Sequence, residues 1–144
     1  MDENGSVYVV DFGQHQVRRY RRVQLKGTAV ASGNGKGNCL NQLYHPTCVF
    51  IDRDQSIYVF DTGNNRVMKW MKGATEAIVV AGGQGRGYCL TQLSYSNGVA
   101  VNQLGTVYVT DWGNNRIVRW PKGAAQGSVI VDANCQGEQS NQLR

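Results

Sequence analysis

Val7-Tyr-Val-Val-Asp-Phe-Gly13 returns as Ile57-Tyr-Val-Phe-Asp-Thr-Gly63 and again as Val107-Tyr-Val-Thr-Asp-Trp-Gly113. Each copy starts 50 residues after the one before, with no gap. The same offset carries Cys39-Leu-Asn-Gln-Leu43 onto Cys89-Leu-Thr-Gln-Leu93, and Gln42-Leu43 onto Gln142-Leu143. Residues 33–82 and 83–132 share 20 identities in 50 positions, so the chain is an array of one repeated unit.

Within a unit the short runs have the length and composition of strands. Cys48–Asp52 is a short apolar run, followed by a polar turn and by Ile57–Phe60. Asp61-Thr-Gly-Asn-Asn65 turns the chain into Arg66–Trp70, and Met71-Lys-Gly-Ala74 leads to a last run, Ala77–Ala81. Four β-branched or aromatic runs between Gly, Asn and Asp turns predict a four-stranded antiparallel meander. The runs are too short and too β-branched for helices. A four-stranded sheet recurring at this period predicts an all-β propeller, with blades stacked face to face. Covering both faces of a middle strand explains why its alternation is blurred. The glycine-rich stretch from about Gly82 to Tyr95 is then the crossover from one blade's outer strand to the next blade's inner strand.

The remaining composition agrees. The chain has 144 residues, 18 glycines, two prolines, 17% charged residues and a formal net charge of +5. No apolar run reaches the ~18 residues of a membrane span. The opening Met-Asp-Glu lacks the basic start and apolar stretch of a signal peptide. These features imply a soluble, folded chain and leave its compartment open. Cys39, Cys48, Cys89 and Cys135 form no C-x-x-C pair, and His15 and His45 are the only histidines, which excludes a zinc finger or ribbon. Cys39 and Cys89, in equivalent loops of adjacent blades, are expected to be too far apart for a disulfide.

The pattern "apolar-Tyr-Val-x-Asp-x-Gly-Asn-Asn-Arg-apolar", preceded by Asn97-Gly-Val-Ala-Val-Asn102, resembles the NHL repeat. The third unit fits best, the second nearly as well, and the first departs at Gly13-Gln-His-Gln-Val17 and ends in Tyr20 rather than Trp. The resemblance implies NHL-type blades at about 1–32 (without an inner strand), 45–82 and 95–132, with 133–144 opening the next interblade loop. Eleven strands fall short of a closed ring, so the remaining blades are expected from a longer chain or a second copy. For function the resemblance implies protein recognition first, single-stranded RNA binding second, and an amidating lyase or calcium-dependent lactonase third.

The repeated polar residues divide by role. Asp11, Asp61 and Asp111 each end a strand and enter a turn, where a carboxylate can accept backbone N–H groups; Asn64 and Asn114 serve the same turn. A structural assignment is expected for all five, because a catalytic group is seldom repeated in every blade. Arg19, Lys69 and Arg119 also recur, each before an aromatic residue, while Arg66 and Arg116 add a second basic position. Together with Arg18, Arg21 and Arg22 they suggest an outer basic belt, open to RNA phosphates or simply draped over a neighbouring blade.

Residues that vary between copies define the candidate binding face. Phe12, Thr62 and Trp112 occupy one equivalent turn position, and Lys36, Arg86 and Tyr88 lie in the interblade loops of the same face. His15 sits in the corresponding turn, and His45 and Tyr95 stand at the entrances to inner strands. The expected function is a non-enzymatic scaffold that presents these loops to a protein or extracellular ligand. It needs no cofactor and no metal. Gly33-x-Gly-x-Gly37 and Gly83-x-Gly-x-Gly87 precede no helix and no Gly-Lys-Ser/Thr, so they are not read as phosphate loops.

Overall fold

The computed structural model describes residues 5–22, 27–85, 92–93, 96–111 and 114–132, with backbone alone at 96, 97 and 132. These residues form eleven strands: β1 Val7–Asp11, β2 Gln16–Tyr20, β3 Thr28–Ser32, β4 Pro46–Ile51, β5 Ile57–Asp61, β6 Arg66–Trp70, β7 Ile78–Gly82, β8 Ser96–Val101, β9 Val107–Asp111, β10 Arg116–Trp120 and β11 Ser128–Asp132. They pair as one three-stranded sheet, β1-β2-β3, and two four-stranded sheets, β4-β5-β6-β7 and β8-β9-β10-β11. Every pairing between these strands is antiparallel. The all-β propeller architecture read from the repeat is therefore present, and the sheets of the described residues do not close into a ring.

The register repeats as the sequence does. Asp11 pairs with Gln16, Asp61 with Arg66 and Asp111 with Arg116 at the mouth of each second hairpin. A register shift falls at Val17/Arg18, Val67/Met68 and Ile117/Val118, the same position in all three copies. Such a bulge increases local twist, which each blade needs in order to fan against its neighbour.

Alternation along the middle strands sends side chains into two separate cores. Ile57, Val59, Met68 and Trp70 pack with Val17, Ala31 and Leu43 between the first and second sheets. Tyr58, Phe60 and Val67 face the other way, packing with Leu93 and with Val107, Val109, Val118 and Trp120 of the third sheet. This double coverage is why β5 is buried at all five positions. In β9 the same alternation survives, with Val107 and Val109 buried and Tyr108 and Thr110 more open. Leu43 and Leu93 come from the interblade crossovers and are fully buried. The Gln-Leu dipeptide noted in the repeat is therefore an anchor for the crossover.

Candidate binding face

The turns between β1 and β2 and between β5 and β6 emerge at the same end as the crossover 33–45. Most of that crossover is built into the scaffold. Asp61 and Arg66 form a buried ion pair, Nε to Oδ2 2.8 Å, with side-chain exposures of 0% and 7%. The Arg66 guanidinium also donates to the carbonyls of Asn38, Cys39 and Gln42, at 3.1, 3.1 and 3.2 Å. Asn64 Nδ2 bridges Asp61 Oδ2 and the Gly37 carbonyl, both at 2.8 Å, and Asp61 Oδ1 accepts the Tyr44 N–H at 2.6 Å. Burial pushes the Asp61 carboxyl up, while the Tyr44, Asn64 and Arg66 donors oppose that and favour the carboxylate.

The third sheet repeats the arrangement. Arg116 Nε lies 2.7 Å from Asp111 Oδ2, Asn114 Nδ2 lies 2.9 Å from the same oxygen, and Arg116 Nη2 donates to the Gln92 carbonyl at 3.0 Å. Asp61, Asp111, Asn64 and Asn114 all lie in this network, and Asp61 accepts a backbone N–H as read from the sequence, though from outside its own turn. Asp11 does accept a backbone N–H of its own turn, from Gln14 at 3.1 Å. Asp61 instead reaches back to Tyr44 in the preceding crossover. Arg66 and Arg116, read as part of a basic belt, are buried ties to main-chain oxygens; the five N–H donors of the Arg66 guanidinium reach a carboxylate and three carbonyls together.

The residues that do not repeat gather beside this clasp. The Phe12 ring stacks on His45, with centroids 4.2 Å apart and planes at 22°. His45 also touches His15 and Tyr44, at 4.5 and 4.8 Å between centroids. Lys36 Nζ stands 5.3 Å above the Tyr44 ring. Phe12 nevertheless remains 53% exposed. Its stacking on His45 shows that it also helps to hold its turn, a part that sequence reasoning did not give it. Thr62, its equivalent, exchanges a hydroxyl hydrogen bond with Thr47 at 2.7 Å. Arg86, Tyr88, Tyr95 and Trp112 lie outside the described residues.

Backbone and tautomer are both fixed in this cluster. His15 and His45 have φ of 54° and 50°, in the left-handed region. Asn65 and Asn115 adopt 52° at the position equivalent to His15, so the repeat itself demands that conformation there. The His45 N–H donates to His15 Nδ1 at 2.9 Å. Neutral His15 therefore carries its proton on Nε2. Desolvation first, then His45 and Lys36, hold the His15 pKa below 6.5, against the pull of Asp61 and Asp11. His45 Nδ1 is buried and has no hydrogen-bond partner among the described residues. Tyr44 escaped the sequence reading; the signal available was its change to Ser94 in the next copy.

Among the described residues, the other basic side chains of the expected belt do not join this face. Arg18 donates to the Gly27 carbonyl, and Arg19 Nε is buried without a partner among the described residues. Lys69 Nζ lies 5.4 Å from the Tyr58 ring centroid and lines a groove of about 900 Å³ between the second and third sheets, with Ile78, Leu104 and Lys122. Arg21, Arg22 and Arg119 are exposed. Among the described residues no group of three His, Cys, Asp or Glu side chains is placed to hold a metal.

Residues 93–120 match the NHL repeat model, the unit that fits the motif best in the sequence. No curated protein matches the chain. Among solved structures, 92% of the chain superimposes on 46% of a chain in a nidogen/laminin complex, with a TM-score of 0.69 and 17% identity. An auxiliary nutrient binding protein from Bacteroides thetaiotaomicron matches with a TM-score of 0.65 and 13% identity, over 91% of this chain and 34% of that one. A streptogramin B lyase matches at 0.57 and 15%, over 94% and 40%. The chain spans less than half the length of each, and at these identities the likeness is one of fold.

Proposed function

We propose that this chain, whose sheets are propeller blades of the NHL type, is a non-enzymatic scaffold that recognises a protein through the face bearing Phe12, His15, Lys36, Tyr44 and His45. The observation that carries this reading is the division of labour at one end of the blades. The repeated Asp61, Asn64 and Arg66 are consumed in holding the crossover, whereas the unrepeated residues sit beside them with a half-exposed aromatic ring at the rim. An exposed aromatic residue on a rigid frame is the type of group that anchors a partner. The nidogen/laminin likeness, a complex of two proteins, agrees with it. No observation favours RNA over protein, since Arg66 and Arg116 are spent internally and Arg19 and Lys69 lie away from the face.

The test is a peptide-display selection on the purified chain, with hydrogen exchange to map the clones. Binders that protect residues 12–15 and 36–45 and fail on Phe12→Ala support the scaffold. Binders that map only elsewhere, or none at all, refute it.

A further inference from the structure

We infer that the Phe12–His15–Lys36 surface is a subsite for an acidic side chain of the partner, an Asp or Glu carboxylate flanked by an apolar residue. This rests on the scaffold reading and adds the partner's chemistry to it.

The polar groups offered here are donors. Lys36 is exposed and has no carboxylate partner among the described residues; its ammonium stands over Tyr44 with all three protons available. His15 Nδ1 is occupied by the His45 N–H, which leaves Nε2–H as its donor. Of the two nearby carboxylates, Asp61 is neutralised within the scaffold by Arg66, whereas Asp11 keeps its charge and is held by one backbone N–H of its own turn. Asp61 is fully buried, with Asn64 and Tyr44 also donating to it. A guest carboxylate would therefore meet an ammonium and an imidazole N–H, and its chain would cross the exposed Phe12 ring. Charge-assisted hydrogen bonds of this kind are the stronger class.

The count of cations selects between acidic guests. A nucleic-acid strand needs several phosphate contacts, and each adds to the salt dependence. Among the described residues of this face Lys36 is the one exposed permanent cation, which matches a single side-chain carboxylate. The stacked Phe12–His45 pair supplies the apolar neighbour such a segment would need, since an exposed ion pair alone contributes only about 0–1 kcal/mol.

The probes are the blocked peptides Gly-Glu-Phe-Gly and Gly-Gln-Phe-Gly, titrated into the labelled chain and followed by NMR. Saturable shifts at Phe12, His15, Lys36 and His45 are expected, about threefold tighter for the Glu peptide, a factor worth about 0.6 kcal/mol. Lys36→Glu and Lys36→Gln should abolish that preference, while Lys72→Glu, the same charge change at the far end of the blade, should keep it. Equal binding of the two peptides, absence of saturable shifts at these residues, or survival of the preference in Lys36→Glu overturns the inference. So does an oligouridine that occupies the same residues at lower concentration. Display clones that map to this face without acidic enrichment would remove the carboxylate subsite and leave the scaffold standing. Clones that never map there would remove both.

Discussion

Arg66 and Asp61 are five residues apart and face each other across the mouth of one hairpin, buried, with Nε 2.8 Å from Oδ2. Their pairing is the hinge between sheet and crossover, because the same guanidinium holds three main-chain carbonyls of residues 38–42. Arg66→Gln leaves Asp61 buried without its counter-ion. We expect a loss of about 3–5 kcal/mol, the range for breaking one side of a buried pair. Urea unfolding of the purified variant checks this; a midpoint equal to that of the parent chain would show the pair to be dispensable.

Leu43 is a second anchor of the same crossover and is fully buried between the first two sheets. Leu43→Ala should cost about 2–5 kcal/mol, the range for emptying a core site. Limited proteolysis should then cut within 34–42 faster than in the parent, since the segment loses its attachment on one side.

Gly13 and Gly63 occupy the same repeat position in different surroundings. A Cβ on Gly63 would stand 2.0 Å from the Tyr44 ring and 2.7 Å from its carbonyl oxygen. On Gly13 it would meet only an Asp11 oxygen at 3.9 Å. Gly63→Ala is expected to destabilise by about 1–3 kcal/mol through overpacking, and to shift the resonances of Tyr44 and His45. Gly13→Ala should stay within about 0.5 kcal/mol of the parent, as exposed substitutions do. Equal effects from the two would contradict this difference in packing.

Protonation of His15 works against the fold. Its pKa is held below the unfolded value of 6.5, chiefly by desolvation, with His45 and Lys36 adding to it. As pH falls below 6.5 the unfolded chain takes up this proton first. The contribution is therefore complete above 6.5 and declines as pH falls toward the lower, folded pKa. His15→Asn keeps a residue that tolerates the left-handed backbone, as Asn65 and Asn115 do. The difference in unfolding free energy between parent and variant should change across that interval and be flat above it. A difference constant with pH would mean that His15 does not titrate differently in the two states.

The fold was legible because strand signals recurred at one fixed offset, so each copy checked the others. The Ile57–Phe60 and Arg66–Trp70 runs became β5 and β6 almost to the residue. The site was legible only in part. Phe12 and Lys36 drew attention by differing from their equivalents, but nothing local says that Phe12 would lie on His45, 33 positions away. Arg66 misled for the opposite reason. A charged residue in a repeated turn looks like surface, and its burial depends on three carbonyls that more than twenty residues separate from it. Tyr44 was missed because a single aromatic residue in a crossover carries no periodicity.

Arg66 grips main-chain oxygens of the crossover and none of its side chains. Lys36 and Asn38 can therefore be exchanged for other residues without loosening the tie that shapes the segment. The segment also shapes itself, because the Asn34 and Gln42 side chains bond its own main chain and a Cβ on Gly37 would strike Gln42, so the freedom to vary falls on the exposed positions 36, 38 and 40. Varying Lys36, Asn38 and Leu40 while Asn34, Gly35, Gly37, Gln42 and Leu43 are retained would redirect recognition and leave the connection standing.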